Sequence, residues 1–266
     1  MSEQLAIHGG TPVRTTDQKP WPVWPLSTEE EWEKEIAPSL KSVYLEKQEG
    51  LPGTQGEAFG QAFAAYSDAR YGVLMPHGTD AISAACAGAL DLDGIGEGGE
   101  VIIPNYTFIA TASAPLSVRC SLALVDIDPV SFTMSPEAVE SALTENTVAL
   151  LPVHLGGHPA EMDALNAIAQ KHGLIVIEDC AQAHGAEYNG KKVGSIGHVG
   201  AFSFQSSKNL TSGEGGCLLT NDPDIRDRAH AFKDVGRRPG GERWEYPRLG
   251  WNYRTSEYLA AILLSR

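Results

Sequence analysis

Short apolar runs recur along the chain from residue 71 onward. They are Tyr71–Met75 (YGVLM), Glu100–Pro104 (EVIIP), Ser121–Ile127 (SLALVDI), Thr147–Val153 (TVALLPV) and Leu174–Asp179 (LIVIED). Runs of this length, rich in Val, Ile and Leu, read as strands buried on both faces, as in a mainly parallel sheet. Two further strands are predicted at Val199–Phe204 and Gly215–Thr220. Helical stretches lie between them. Ser135 followed by Pro136 opens one, a second runs from Pro159 to Gly173, and an acidic–basic stretch from Pro223 to Lys233 forms a third. Strand and helix alternating at this spacing predict right-handed βαβ units and an α/β fold with a mainly parallel central sheet flanked by helices.

The first fifty-odd residues lack this pattern and are expected to be irregular. The stretch KPWPVWP (Lys19–Pro25) sets three prolines and two tryptophans in seven residues. No helix or central strand tolerates that, so it predicts an extended arm, packed on its own core or on a partner subunit. At the other end an apolar-faced helix starts at Ser256 and runs to Arg266 without a closing cap. That pattern predicts either a truncated protein or a helix completed by a partner.

Composition narrows the class. With 20 Lys+Arg against 34 Asp+Glu the net charge is −14, and there is no basic run to meet a nucleic acid or an anionic membrane. No apolar stretch approaches the ~20 residues a bilayer requires, and the N-terminus lacks the pattern of a signal peptide. Cys86, Cys120, Cys180 and Cys217 sit in apolar segments without C-x-x-C spacing, as reduced thiols in a cytoplasmic protein would.

Four segments could carry chemistry. After YGVLM, Gly78 and Thr79 open an Ala-rich helix; a glycine, a hydroxyl and a helix N-terminus make either a phosphate cup or an ordinary N-cap, with Asp80 an awkward neighbour for an anion. In PNYTFIATASA, Tyr106 and Phe108 leave the C-terminal edge of a strand, where an aromatic face either packs in the core or stacks on a flat ring. Glu178 and Asp179 end an apolar strand; buried carboxylates require a cationic partner, either a side chain or a protonated ligand nitrogen. Gln182 and His184 follow within about a turn. In AFSFQSSKNLTSGEGG, Lys208 is either a solvated loop lysine or an amine able to form a Schiff base. Other patterns are weaker. GIGEGG (Gly94–Gly99) precedes a strand, so it is not a dinucleotide fingerprint. His154, His158 and Glu161 resemble a metal set, but Pro159 breaks the helix that would align them, and no metal is expected. Cys180 near His184 hints at a thiol nucleophile without an oxyanion hole.

The order of the four is specific: an anion cup, an aromatic after the next strand, an Asp ending an apolar strand, then a Lys in a polar turn. Together they describe a site for a phosphorylated aromatic aldehyde, pyridoxal 5′-phosphate (PLP). On HGTDAI, PNYTFIAT, EDCAQAHG, SFQSSKNLTSGEGG and GWNYRTSEYLAA, the chain resembles the DegT/DnrJ/EryC1/StrS family of sugar and cyclitol aminotransferases, within the fold-type-I aspartate aminotransferase superfamily. The resemblance runs from Leu5 almost to the last residue.

It implies Lys208 as the Schiff-base lysine and proton carrier, Asp179 as the partner of the pyridine nitrogen, and Phe108 as the stacking aromatic. Gln182 would sit on the phenolic-oxygen side, and Gly78, Thr79 and Ser203 would bind the phosphate. Asn252 would reach the phosphate of a neighbouring subunit, so a homodimer with shared sites is implied. Dehydratase relatives carry histidine in place of the lysine, and Lys208 argues against that branch. The implied reaction moves an amino group from L-glutamate or L-glutamine to a keto-sugar, often nucleotide-linked, or a keto-cyclitol, by ping-pong Schiff-base chemistry. GGTPVR and WPVWP lean toward the scyllo-inosose and aminohydroxybenzoate branch. The expected organisation is an N-terminal arm and extended segment over 1–55, a PLP-binding large α/β domain over 56–250, and over 251–266 the start of a connection to an absent smaller C-terminal domain. The alternative is a truncated, catalytically inactive PLP-binding or regulatory protein of the same fold.

Overall fold

Every predicted apolar run forms a strand: β1 (Tyr71–Met75), β2 (Glu100–Pro104), β3 (Ser121–Val125), β4 (Thr147–Leu150), β5 (Ile175–Asp179), β8 (Val199–Ser203) and β9 (Gly216–Thr220). A short hairpin, β6 (Glu187–Tyr188) and β7 (Lys191–Lys192), stands apart from them. The computed structural model describes residues 8, 10–11, 24–47, 55–92, 98–242 and 244–266. The seven long strands form one sheet in the order β1-β9-β8-β5-β4-β2-β3. From β8 to β3 all neighbours are parallel, whereas β9 runs antiparallel to both β8 and β1. No helix lies between β8 and β9, so the chain returns alongside β8 instead of crossing over the sheet. The sheet is mainly parallel, with one reversed strand.

Helices cover both faces. They are α3 (Gln55–Tyr66), α4 (Gly78–Ala89), α5 (Ala110–Ser117), α6 (Pro136–Ala142), α7 (Met162–His172), α8 (Pro223–Lys233) and α9 (Glu257–Ser265). Small residues bring α4 close to its neighbours: Ala81, Ala84 and Ala85 are fully buried, and a Cβ on Gly88 would lie 3.1 Å from the Ile225 carbonyl oxygen of α8. One apolar cluster joins the sheet to α4 and α8, and a second joins the other face to α3 and α9 through Phe59, Phe63, Phe202 and Phe204. A third packs α6 and α7 over β2, β4 and β5. These clusters fix the strands whose C-terminal ends carry the site.

Two boundaries differ from expectation. Helix α7 begins at Met162 and not near Pro159, because Glu161 is its N-cap and Pro159 lies in the turn before it. Residues 29–45, expected to be irregular, are helical: α1 (Glu29–Glu31) passes through a π-helical turn at Trp32–Ile36 into α2 (Ala37–Leu45). Thr28 caps α1, its Oγ1 accepting from the Glu31 N–H at 3.1 Å. This helical segment is tied to the chain end by Ser39 Oγ to Ser265 Oγ at 2.8 Å and by Arg266 Nε to Glu31 Oε1 at 2.9 Å. Of the proposed arm only Trp24 and Pro25 are described; Lys19–Val23 lie outside the described residues. The opening motif GGTPVR lies mostly outside them as well. Among the described residues no helix is long and apolar enough to cross a membrane.

Candidate active site

The C-terminal ends of β1 and β8 flank the N-terminal end of β9, with Met75 and Ser203 both in register with Gly216. The chain leaves β1 through His77 and enters α4 at Gly78 directly above that point. A Cβ on Gly216 would stand 2.2 Å from the His77 carbonyl oxygen, and a Cβ on Gly78 would stand 2.6 Å from the Ser203 Cβ. Only glycine permits this double close approach, and it brings the first turn of α4 onto Ser203. The N-cap His77 has extended backbone and makes no side-chain cap, so the opening amides of α4 are free of one. Asp80 does not serve as a cap either. Its Oδ2 is held by His77 Nδ1 at 2.8 Å. Gly78 and Ser203 thus lie in contact, with Thr79 next in the helix N-terminus, where amides and hydroxyls favour an anion.

Asp179 ends β5, two strands from β9, and is buried. Its Oδ2 accepts from Thr111 Oγ1 at 2.8 Å and its Oδ1 from the Ala181 N–H at 3.1 Å. No hydrogen bond or ion pair joins it to a cationic side chain among the described residues. Burial pushes its pKa up, and the Thr111 hydroxyl, the Ala181 amide and the more distant Lys208 pull it back in part. Lys208 sits in the turn after β8, its N–H bonded to the Gln205 carbonyl at 2.8 Å, and its ammonium is half-buried without a partner among the described residues. A buried carboxyl and an unpartnered amine therefore share one edge of the sheet, close enough for the amine to pull the carboxyl's pKa down.

The remaining predicted residues complete the rim. Phe108 precedes α5 and is 65% exposed, so its ring is not core packing. Gln182 accepts from the Gly156 N–H at 2.8 Å through Oε1, which leaves its amide nitrogen available as a donor. His184 donates from Nε2 to the Ser203 carbonyl at 2.8 Å, which fixes its tautomer, and its buried Nδ1 has no partner. Burial lowers its pKa to about 4. Asn252 is exposed in the segment before α9, its backbone bridged to Asp234, and no hydrogen bond joins it to the residues above.

Glu178 departs from expectation: its charge is met by dipoles and not by a cation. Oε1 accepts from the Ile196 and Gly197 amides at 2.9 and 2.7 Å, and Oε2 from the Gly194 amide at 2.8 Å and His154 Nε2 at 3.0 Å. His154 Nδ1 accepts from the Ala160 N–H at 3.0 Å, so Nε2 carries the ring proton. The strand's two-residue period sends Glu178 into this structural nest and Asp179 to the opposite face. With His154 committed here and His158 and Glu161 both exposed, the three do not gather as metal ligands. Cys180 is buried beside Glu178 and Asp179, which together with burial push its thiol pKa well up, opposite to what a nucleophile requires. All four cysteines are free and buried.

Sequence reasoning missed Thr111, which bridges Thr107 and Asp179, and Gly216, which makes room for the cup. Thr111 lies one residue beyond the start of α5 and is fully buried, a position a hydroxyl occupies only when it has a partner. Gly216 closes the motif SFQSSKNLTSGEGG, but nothing in that motif says which strand end it makes room for.

Helices on both faces of a mainly parallel sheet, with a helix N-terminus, a buried carboxylate and a lysine at one edge, match the large domain of fold-type-I PLP enzymes. The chain belongs to the DegT/DnrJ/EryC1/StrS aminotransferase family, whose model matches residues 30–266. It is 42% identical over 269 residues to a putative L-glutamine:3-amino-2,3-dideoxy-scyllo-inosose aminotransferase of Streptoalloteichus tenebrarius, a match covering 100% of this chain and 62% of that relative. Its fold matches 3-amino-5-hydroxybenzoic acid synthase (TM-score 0.82, 33% identity, 92% of this chain and 62% of that one). It also matches NtdA of Bacillus subtilis, solved with bound PMP (TM-score 0.80, 31% identity, 90% and 53%). The chain thus spans less than two thirds of the length of these proteins.

Proposed function

We propose that the chain is the cofactor-binding part of a PLP-dependent aminotransferase that moves an amino group from L-glutamine or L-glutamate to a keto-sugar or keto-cyclitol. The observation that carries this reading is the buried Asp179 carboxylate, left without a cation at an edge shared with an unpartnered lysine. The rest of the site fits the same group: close-packed glycines at a helix N-terminus for its phosphate, an exposed ring at Phe108 and an amide donor at Gln182.

When bound, the cofactor supplies an electron sink for the pair left behind by a carbon-bound proton. Asp179, fixed by Thr111 and Ala181, holds a proton at the ring nitrogen, since a buried carboxylate favours the cationic form of its partner. Lys208 would hold the aldehyde carbon, and its free amine would be the base that takes and returns the substrate proton. Gly78, Thr79 and Ser203 would hold the phosphate, Phe108 would cover the ring and exclude water, and Gln182 would donate toward the phenolic oxygen.

Asn252 is assigned to the phosphate of a second subunit, which makes the functional unit a homodimer. Exposed Trp244, Leu249 and Trp251 near Asn252, together with Tyr106, Phe108 and Ile109 near the site, supply apolar surface for such an interface. Buried free thiols and an acidic surface support a cytoplasmic location.

The test is spectroscopic. Purified chain incubated with PLP is expected to hold a visible absorption band through dialysis and to be fixed covalently by borohydride, with the added mass on the Lys208 peptide. Lys208→Ala is expected to lose both, and L-glutamine to bleach the band. A folded chain that takes up no colour overturns the assignment.

A further inference from the structure

The sheet ends at β1, whose outer edge pairs with no further strand among the described residues. Helix α8 packs on one face of that strand through Val73, and α3 on the other through Leu74. Between the two helices a cavity of about 830 Å³ runs along Tyr71–Leu74. It is separate from the cofactor edge: none of Gly78, Asp179, Ser203 and Lys208 lines it.

Its walls carry a charge opposite to that of the chain. Arg70, Arg226, Lys233, Arg237, Arg238 and Arg254 line it against Glu57, Asp234 and Glu257, in a protein of net charge −14. Two of the acids are already engaged. Asp234 Oδ1 accepts from Arg254 Nη1 at 2.7 Å and from Arg237 Nη1 at 3.4 Å. Glu257 Oε2 accepts from the Gln55 and Gly56 amides at 2.7 and 3.3 Å, which closes the N-terminus of α3. Arg226 pairs with Asp227 and lies over the Tyr71 ring, 4.6 Å from its centroid. Arg70, Lys233 and Arg238 are left without a carboxylate partner among the described residues.

Two polar groups of the lining are also unmet. Lys233 Nζ donates one N–H to the Leu74 carbonyl at 2.9 Å, and its other two have no partner among the described residues. Burial lowers its pKa, and the nearby acids restore it only in part. Thr255 Oγ1 is buried with no hydrogen-bond partner. Buried polar groups are almost always satisfied, so each exception calls for a missing partner.

A charged side chain or two is enough to keep an open strand edge from pairing with another chain. Three unengaged cations and an orphaned hydroxyl around one cavity exceed that need and form a donor set for an anion. A ligand of about three negative charges on adjacent groups matches them, and guanidinium forks take phosphate oxygens two at a time.

We propose that the cavity at the free edge of β1 is a second ligand site and that it takes a compact diphosphate. Arg70, Lys233 and Arg238 hold the phosphate oxygens and Thr255 donates its hydroxyl. The site stands independently of the aminotransferase reading. Its far wall is the segment that carries Asn252: the Tyr253 N–H donates to the Lys233 carbonyl at 2.8 Å, and Asn252 bridges Asp234. Occupancy therefore braces that segment.

The test is calorimetric titration of the full chain with inorganic pyrophosphate at constant ionic strength, with and without PLP. One site that PLP does not block is expected. Arg70→Gln and Arg238→Gln, both at exposed positions, should leave the fold intact and each weaken pyrophosphate about tenfold. Lys171→Gln, outside the cavity, should leave the affinity unchanged. Hydrogen exchange should slow on binding at Tyr71–Leu74 and Lys233–Thr255. Absence of binding, loss of binding when PLP is present, or equal affinity in both arginine variants each overturns the site. Citrate binding more tightly than pyrophosphate overturns the diphosphate class.

Discussion

Glu178→Gln tests the idea that the charge of this carboxylate is matched by its nest and not by a cation. The side chain is fully buried and accepts four hydrogen bonds, two at each oxygen, from Ile196, Gly197, Gly194 and His154. Glutamine has the same shape but offers two acceptor sites and two donors. Either orientation leaves two buried donors facing an NH2 group. His154 cannot compensate by moving its proton, because Nδ1 already accepts from Ala160. Each unmet buried donor costs about 1–3 kcal/mol. Removing the carboxylate's own desolvation penalty offsets part of that. The expected net loss is about 3 kcal/mol, read as a lower urea midpoint at unchanged slope in the cofactor-free chain. A loss below about 1 kcal/mol would refute the claim that the four bonds are made together. Because the loop Gly194–Gly197 packs on β8, the same variant should also weaken PLP retention without touching the cofactor site directly.

Two further outcomes follow from titrating groups in the site. Burial raises the Asp179 pKa above its unfolded value, so the folded chain holds a proton the unfolded chain has lost and stability falls as pH rises through that window. Asp179→Asn keeps a partner for both Thr111 and Ala181, so it is expected to stabilise the cofactor-free chain at pH 7, with the gain vanishing at acid pH, while abolishing transfer of nitrogen from glutamine; destabilisation at pH 7 would contradict the account. His184 has its pKa lowered from 6.5 to about 4, so the unfolded chain takes up a proton that the folded chain refuses. It should therefore cost stability progressively as pH falls from about 6.5 toward 4, up to about 3 kcal/mol. His184→Gln, which keeps the donor to the Ser203 carbonyl, should flatten that part of the pH–stability curve, and an unchanged curve counts against the burial assigned to the ring.

The strands were legible because a run buried on both faces must be continuously apolar. Tyr71–Met75 and Glu100–Pro104 were located to the residue, and the other runs to within a few residues. The order of helix N-terminus, aromatic, carboxylate and lysine was legible for a related reason: each lies at or just beyond a strand end, and a parallel sheet gathers the ends of its strands on one edge. The helix at residues 29–45 went unread although Thr28-x-x-Glu31 is a capping signature, because its apolar positions do not repeat strongly enough to announce a buried face.

Sequence alone set the composition of the site and the alternation that builds the sheet, since both depend on residue type and on spacing along the chain. What separated two adjacent carboxylates was tertiary. Glu178 and Asp179 are alike as neighbours in sequence, and only the loop folding over one face gives the first four donors and leaves the second without a cation. The same holds for Gly78, Gly216 and Ser203, distant in the chain and forced together because the fold leaves no room for a Cβ between them. Chemistry can be read locally; the dielectric and the partners that decide how each group behaves are set by segments far away along the chain.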